Sequence, residues 1–136
     1  MLAAYHARWD DGSTTSIKNE VRNIPQVFQA MRQARPGEED LIIVGDFNLV
    51  KANIEDALGA PVLTVGTGST LNTSGARTTN LYDHVLIFSQ AATQELVGGP
   101  EILDVRDVAT SPTAFYQTVS DHLPIRARFR SGPDDD

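Results

Sequence analysis

The chain has 136 residues, no cysteine, a hydrophobic fraction of 40% and a formal net charge of −7. The absence of thiols excludes disulfides, thiolate metal sites and cysteine nucleophiles. The acidic balance argues against a protein that coats nucleic acid through a basic surface, although carboxylates that bind a divalent cation still admit a phosphodiester substrate. Because neither a bilayer-spanning apolar run nor a secretory signal is visible, we expect a cytoplasmic protein with no membrane partner.

The first predicted element is the end of a strand at residues 2–5. Apolar residues then recur every three or four positions over residues 17–34, which predicts an amphipathic helix with one buried face. Pro25 should kink this helix or mark its start, because proline lacks the backbone N–H. A continuous apolar run at residues 41–44 predicts a buried strand, and residues 54–58 predict one or two helical turns.

Further strand signals follow along the chain. Residues 62–80 are rich in Thr, Ser and Gly and are typical of a loop or an edge strand. Residues 85–88 predict a second buried strand, and residues 101–108 are weakly strand-like. Over residues 123–129, apolar and basic side chains alternate, which places one face on a core and the other in water.

This order of elements predicts an α/β or α+β domain in which a helix packs on a sheet. We assign residues 1–130 to a single domain and residues 131–136 to an acidic disordered tail. No internal repeat is visible in the sequence.

The strand at residues 41–44 leads directly into a polar segment. Asp46 and Asn48 are two residues apart and therefore lie on the same side of an extended chain. Gly45 allows the backbone to turn sharply beside them. A turn capped by the Asp and Asn side chains explains this segment equally well when it is considered alone.

Two other segments place Asp and His beside a strand. Asp83 and His84 precede the strand at 85–88, where, taken alone, a turn residue and a surface residue are the simpler interpretations. Asp121 and His122 precede the last strand. Adjacent side chains of an extended chain point to opposite faces, so each needs its own partner. A carboxylate beside His122 would hold its tautomer, and another carboxylate could bind a hard cation. His6 follows the first strand and, alone, is more often structural.

Taken together, the segments at 45–48 (GDFN), 82–85 (YDHV) and 120–124 (SDHLP) resemble the endonuclease/exonuclease/phosphatase superfamily in order and rough spacing. The resemblance is greatest to pancreatic-type deoxyribonucleases, in which a histidine after a strand precedes the three motifs, as His6 does here. It covers residues 2–130. The fold it implies is the C-terminal half of a four-layer α/β/β/α sandwich, with one mostly antiparallel sheet and a helix on one face.

The resemblance also implies a phosphodiesterase or nuclease that depends on Mg²⁺ or Mn²⁺, acting on a phosphodiester with DNA as one candidate. Asp46 would position or activate the attacking water and, with Asp121, contribute to the cation site. Asn48 would hold a phosphate oxygen. In such a reaction the protein positions the groups and neutralises charge, and the cation acts as a Lewis acid.

The remaining roles implied by the resemblance concern proton transfer and substrate contact. His122 would act in acid–base catalysis or stabilise the charge of the phosphorane, with Asp83 orienting it. His6 would protonate the leaving oxygen. Arg77 and Asn80, just before Asp83, are further candidates for substrate binding.

The first half of the family's fold supplies a metal-binding Glu, and we expect that half to be absent from this chain, so that the cation is weakly bound. One sheet with a helix on its outer face leaves an inner apolar face exposed. We therefore expect a homodimer that buries that face. A separate partner chain could cover the same face instead. The alternative function is a catalytically inactive half-domain that acts as a homodimeric assembly or binding module. The substrate cannot be read from the sequence, and residues 64–80 are where we would look for its specificity.

Overall fold

The computed structural model of the chain describes residues 1–9, 12–59, 68–88, 90–130 and 132. In chain order its elements are β1 (Leu2–His6), α1 (Thr14–Val21), α2 (Ile24–Ala34), β2 (Ile42–Asp46), α3 (Lys51–Leu58), β3 (Asp83–Ile87), α4 (Gln90–Glu95), β4 (Glu101–Ile102), a 3-10 helix (Arg106–Val108), α5 (Pro112–Thr118) and β5 (Ile125–Arg126). The predicted mixed α/β class is confirmed. In the part of the chain that the structure describes, no helix is long and apolar enough to span a membrane.

The strands form one sheet in the order β1-β2-β3 and a second, two-stranded sheet of β4 and β5. In the larger sheet β1 and β2 are parallel, whereas β2 and β3 are antiparallel. The expected mostly antiparallel sheet is therefore a mixed one. The chain crosses over through α1 and α2 between the two strands, and a crossover of this kind allows β2 to run parallel to β1.

One face of the larger sheet is covered by helices. Successive side chains of a strand alternate between faces, and Tyr5, Ile43 and Leu86 all point to the helix side. They pack in a first core whose other buried members include Ile17, Val21, Ile24, Phe28, Leu41, Phe47 and Ile54. The opposite face, which we call the open face, carries the exposed Leu2 on its edge strand, whereas Val85 on β3 is buried.

The predicted helix over residues 17–34 is in fact two helices. α1 ends at Val21 and α2 begins at Ile24, with Pro25 in its first turn. A proline is tolerated there because the first N–H groups of a helix have no partner within it. The interpretation of Pro25 as a helix start is therefore confirmed, and the continuous periodicity came from two helices that bury the same side.

The C-terminal part of the chain is less regular than predicted. In the alternating segment at 123–129 only Ile125–Arg126 is a strand, although Phe129 also bridges to Leu96. Helix α5 was not predicted. Its signals are local: Ser111 caps the helix by accepting a hydrogen bond from the Ala114 N–H, and a proline follows at the first helical position.

A second core lies under α5. Its buried members are Leu71, Phe115 and Leu123, which come from distant parts of the sequence. Part of the loop or edge strand expected at 62–80 lies outside the described residues, but from Gly68 onward it forms bridges, Thr70 with His122 and Leu71 with Arg77. The acidic tail expected at 131–136 also lies outside the described residues, apart from Gly132.

The close approach of β1 and β2 yields a stability prediction. At Gly45, φ is 152° and an added Cβ would lie 1.7 Å from the Tyr5 carbonyl oxygen. We expect Gly45→Ala to destabilise the protein by about 3 kcal/mol or more, because the backbone of β1 must move away. Urea denaturation, or the soluble yield if the variant does not fold, measures this loss.

Gly99→Ala is the matched control, since a Cβ at Gly99 meets no atom within 4 Å. The control should change the free energy of unfolding by less than about 1 kcal/mol. Equal effects of the two substitutions would contradict the packing of β1 on β2.

Candidate functional site

Three predicted site residues lie side by side at one end of the open face. The strand register pairs His6 with Asp46 and Asp46 with Asp83. This follows from the mixed sheet, because β1 and β2 end at the edge where β3 begins. Residues that the sequence separates by up to 77 positions thus form one polar row across three strands.

His122 joins this row from the second core. Its segment is held by backbone hydrogen bonds from the Leu123 N–H to the Ser69 carbonyl, 2.9 Å, and from the Leu71 N–H to the Asp121 carbonyl, 2.7 Å. His122 Nδ1 then lies 2.8 Å from Asp83 Oδ2. The expected carboxylate partner of His122 is therefore present in the structure, and it is Asp83.

A second donor binds the same oxygen of Asp83. The hydroxyl of Ser69, a fully buried side chain, donates a hydrogen bond to Asp83 Oδ2. Two donors on one oxygen hold the carboxylate in a single orientation. Ser69 was missed by the sequence analysis because nothing in the Thr-, Ser- and Gly-rich segment distinguishes it from its neighbours.

The contact with Asp83 sets the protonation of His122. A carboxylate only accepts, so Nδ1 carries the hydrogen and Nε2 faces the other way, 3.7 Å from Asp46 Oδ2. The hydrogen bond to Asp83 raises the pKa of His122 above its ordinary value of 6.5, against the opposing effect of burial. The Asp83 carboxylate therefore widens the pH range over which His122 is protonated.

Asp46 lies between the two histidines of the site. Its Oδ1 accepts a hydrogen bond of 2.8 Å from the Asn48 N–H, while its Oδ2 lies 3.9 Å from His6 Nε2 and 3.7 Å from His122 Nε2. At these distances the carboxylate attracts both imidazoles electrostatically but accepts no direct hydrogen bond from either ring. Burial raises the pKa of Asp46, although the Asn48 N–H opposes the shift.

Asn48 is held by the backbone around it. Its φ is 49°, a left-handed conformation that asparagine adopts more readily than most residues. Its Nδ2 donates to the Ala7 carbonyl at 3.1 Å, which ties the end of β2 to the end of β1. The side chain thus has a structural contact in addition to its place at the site.

The interpretation of His84 as a surface residue is wrong. His84 is fully buried, and its Nε2 donates to the Leu49 carbonyl at 2.8 Å. The physical reason is strand alternation, since Asp83 occupies the open face and the next residue must point to the helix-covered side. Burial lowers the pKa of His84, so it is a neutral support for the segment that carries Asn48.

A pocket of about 630 Å³ contains the site. Of the predicted site residues, those that line it are His6, Asp46, Asn48, Asp83, Asp121 and His122. Four further lining residues, Trp9, Thr70, Tyr82 and Ser120, were not predicted. Ser120 Oγ accepts a hydrogen bond from the His122 N–H at 3.0 Å and so positions that histidine.

The two residues predicted to contact substrate lie elsewhere. Arg77 Nε donates to the Gly68 carbonyl at 2.9 Å, and the Asn80 N–H donates to Thr78 Oγ1 at 3.2 Å. Neither is among the described residues that line the pocket. Their contacts shape the segment that leads into β3.

Asp46, Asp83 and His122 form a candidate metal cluster, with one ligand atom from each within 4.8 Å of the others. Asp121, predicted as a ligand together with Asp46, lines the pocket but lies outside this cluster. The two carboxylates fit Mg²⁺ or Mn²⁺, both of which prefer oxygen ligands. His122 binds a cation only when neutral, so its proton and a cation compete.

No protein-family model matches this chain, and a comparison with curated proteins found no match. The likeness to the endonuclease/exonuclease/phosphatase superfamily therefore remains a prediction. It rests on the three motifs of the sequence, and it is tested by measuring the activity of the site that they form.

The Asp83–His122 contact gives a pH-dependent prediction for the protein in a chelating buffer without metal. Asp83→Asn removes the negative charge, so the pKa of His122 should fall toward its ordinary value. Proton NMR titration measures it directly, because the chain has three histidines and two variants suffice to assign their signals.

The same substitution should also change stability in a defined direction. A pKa raised in the folded state stabilises the protein fully below the unfolded value of 6.5, and this contribution is lost as pH rises through the higher folded value. The loss of stability in Asp83→Asn should therefore be larger at about pH 5.5 than at about pH 9 in urea denaturation. An equal loss at both would contradict the ion pair.

Proposed function

We propose that this chain carries the catalytic residues of a divalent-metal-dependent phosphodiesterase similar to the endonuclease/exonuclease/phosphatase superfamily. The observation that carries the proposal is the convergence of Asp46, Asp83 and His122 within 4.8 Å, beside His6 and in a pocket. These residues come from segments far apart in the sequence. Residues that served only in three separate turns would not be expected to converge in one place.

The charges in the pocket favour a cation-dependent reaction. Two carboxylates by themselves repel a phosphate, and the net charge of the chain is −7. A Mg²⁺ or Mn²⁺ ion held by Asp46 and Asp83 would reverse the local field and polarise the phosphoryl oxygens. We therefore expect phosphodiester binding only when the cation is bound.

The protein groups divide the proton chemistry between them. Asp46 positions the attacking water or activates it by accepting its proton. The His122 imidazolium, fixed by Asp83, donates to the oxygen on which negative charge develops. His6, whose side chain is 76% exposed, is accessible to the leaving oxygen and protonates it.

Activity should be lost when either central group is removed. We expect Asp46→Asn and His122→Ala to lower hydrolysis of bis(p-nitrophenyl) phosphate by about 10²- to 10⁴-fold in Mg²⁺ or Mn²⁺. A chelator should abolish the activity of the unsubstituted protein. Circular dichroism checks that each variant still folds.

Asp56→Asn is the matched control for Asp46→Asn. The Asp56 side chain is 65% exposed and pairs with Lys18 at 2.9 Å, outside the pocket. This control should keep full activity, because an exposed ion pair contributes little to stability. Unchanged activity in His122→Ala would contradict the proposed chemistry, whereas a folded, metal-binding protein without hydrolysis would favour an inactive binding module.

We also propose that a second copy of the chain covers the open face, as the four-layer sandwich implied by the resemblance would require. Leu2 is 67% exposed on this face, and a groove of about 530 Å³ is lined by Ile42, Val44, Val85 and Phe129 among others. Two such faces related by a two-fold axis bury each other, as packed sheets do. The polar row of the site continues the same surface, so the second copy would border the pocket.

A charge on the open face should separate the two copies. We expect Leu2→Glu to change the mass in light scattering from twice to once that of the 14.8 kDa chain, because a buried carboxylate without a partner is costly. Val108→Glu, at a side chain that is 70% exposed but does not line this groove, should leave the dimer intact. A monomeric unsubstituted protein would contradict the dimer.

A further inference from the structure

Trp9 is the only tryptophan of the chain, and it lies at the candidate active site. It follows the end of β1 by three residues and lines the same pocket as Asp46 and His122. Its side chain is 57% exposed. An indole of this size is usually mostly buried, so an exposed one beside a cluster of polar groups calls for a functional explanation.

The Trp9 ring lies close to the backbone at Gly12, and the segment just before Trp9 is held by Glu20. At Gly12, φ is +67°, and an added Cβ would lie 3.3 Å from Cζ2 of Trp9, so the ring rests against the chain where no side chain intervenes. On the other side, Glu20 accepts hydrogen bonds from the Tyr5 hydroxyl, 2.8 Å, and the Arg8 N–H, 3.2 Å. These contacts fix the exit of β1 from which Trp9 projects.

The composition of the pocket indicates a role for the Trp9 indole in binding. Its other lining residues are mainly carboxylates, histidines and small polar side chains, which suit a phosphate and its proton transfers. Among the described residues that line the pocket, Trp9 and Tyr82 add larger aromatic rings to the two imidazoles. A volume of about 630 Å³ is in the range of sites that hold a nucleotide-sized ligand.

We propose that Trp9 is a stacking platform for a planar ring carried by the substrate next to its scissile phosphate, and that this ring is a nucleobase. This inference rests on the proposed phosphodiesterase function, since it names the substrate class of the same site. It excludes ring-free phosphodiesters, such as phospholipid headgroups, as preferred substrates. Stacking on an indole accepts any base, because every base has a π-face. The net charge of −7 favours a short nucleotide substrate over a long polyanion.

Binding is tested by the fluorescence of this single tryptophan, which reports on Trp9 alone. With Mg²⁺ present, we expect AMP to quench the emission and ribose 5-phosphate, which lacks the base, to leave it unchanged. This readout does not depend on turnover. Equal quenching by both ligands, or by neither, would overturn the stacking proposal.

Turnover is tested with a short thymidine oligonucleotide and an abasic oligomer of the same length. We expect Trp9→Ala to raise KM for the thymidine substrate about tenfold with little change in kcat, and Trp9→Phe to restore most of the affinity. The abasic oligomer should be a poor substrate for all three proteins alike. Measurable hydrolysis of both oligomers at the same rate by the unsubstituted protein would overturn the proposal.

The two proposals fail in distinguishable ways. If AMP quenches, ribose 5-phosphate does not, and neither oligomer is hydrolysed, the ring platform stands and the phosphodiesterase function fails. If the chain hydrolyses bis(p-nitrophenyl) phosphate in a His122-dependent manner but AMP does not quench, the function stands and the ring platform fails.

Discussion

The carboxylate of Asp83 is the contact on which the arrangement of the site depends. Its Oδ2 receives both the buried Ser69 hydroxyl and His122 Nδ1, so one oxygen joins the larger sheet to the second core. Without this contact His122 would have no fixed tautomer, and its Nε2 would not be directed at Asp46. A hydrogen bond that involves a charged group in a partly buried place is among the stronger single contacts in a protein, which suits it to this purpose.

The two faces of the larger sheet carry different residues. On the helix-covered side, Gly45 lets β1 approach β2 closely, and the buried His84 supports the segment after β2 through the Leu49 carbonyl. On the open side, apolar residues continue directly into the polar row of His6, Asp46 and Asp83. The proposed catalysis and the proposed dimer therefore concern one surface, and a second copy on the apolar part of that face would also limit access to the pocket.

The pKa values of two neighbouring groups in the site are both raised, for different physical reasons. Burial raises the pKa of Asp46, and the hydrogen bond to Asp83 raises that of His122. In the absence of metal, Asp46 is therefore a stronger base than an ordinary carboxylate, and His122 keeps its proton to a higher pH. Such an arrangement is typical of sites that move protons, although structural ion pairs also perturb pKa values. A cation bound by the carboxylates would lower the pKa of both groups, which makes metal affinity depend on pH.

The sequence by itself determined the local features: the two buried strands, the start of a helix at Pro25, and the polar residues Asp46, Asp83 and His122 beside strands. Each depends on neighbours within a few positions, through periodicity, capping or turn chemistry. Only the tertiary structure decided that β1 and β2 are parallel, that His84 is buried, that Ser69 binds Asp83, and that Trp9 lines the pocket. These facts depend on strand register and on contacts between residues far apart in the chain, such as the 39 positions between Asp83 and His122. A local pattern carries no information on such pairings, because they are fixed by packing of the two cores.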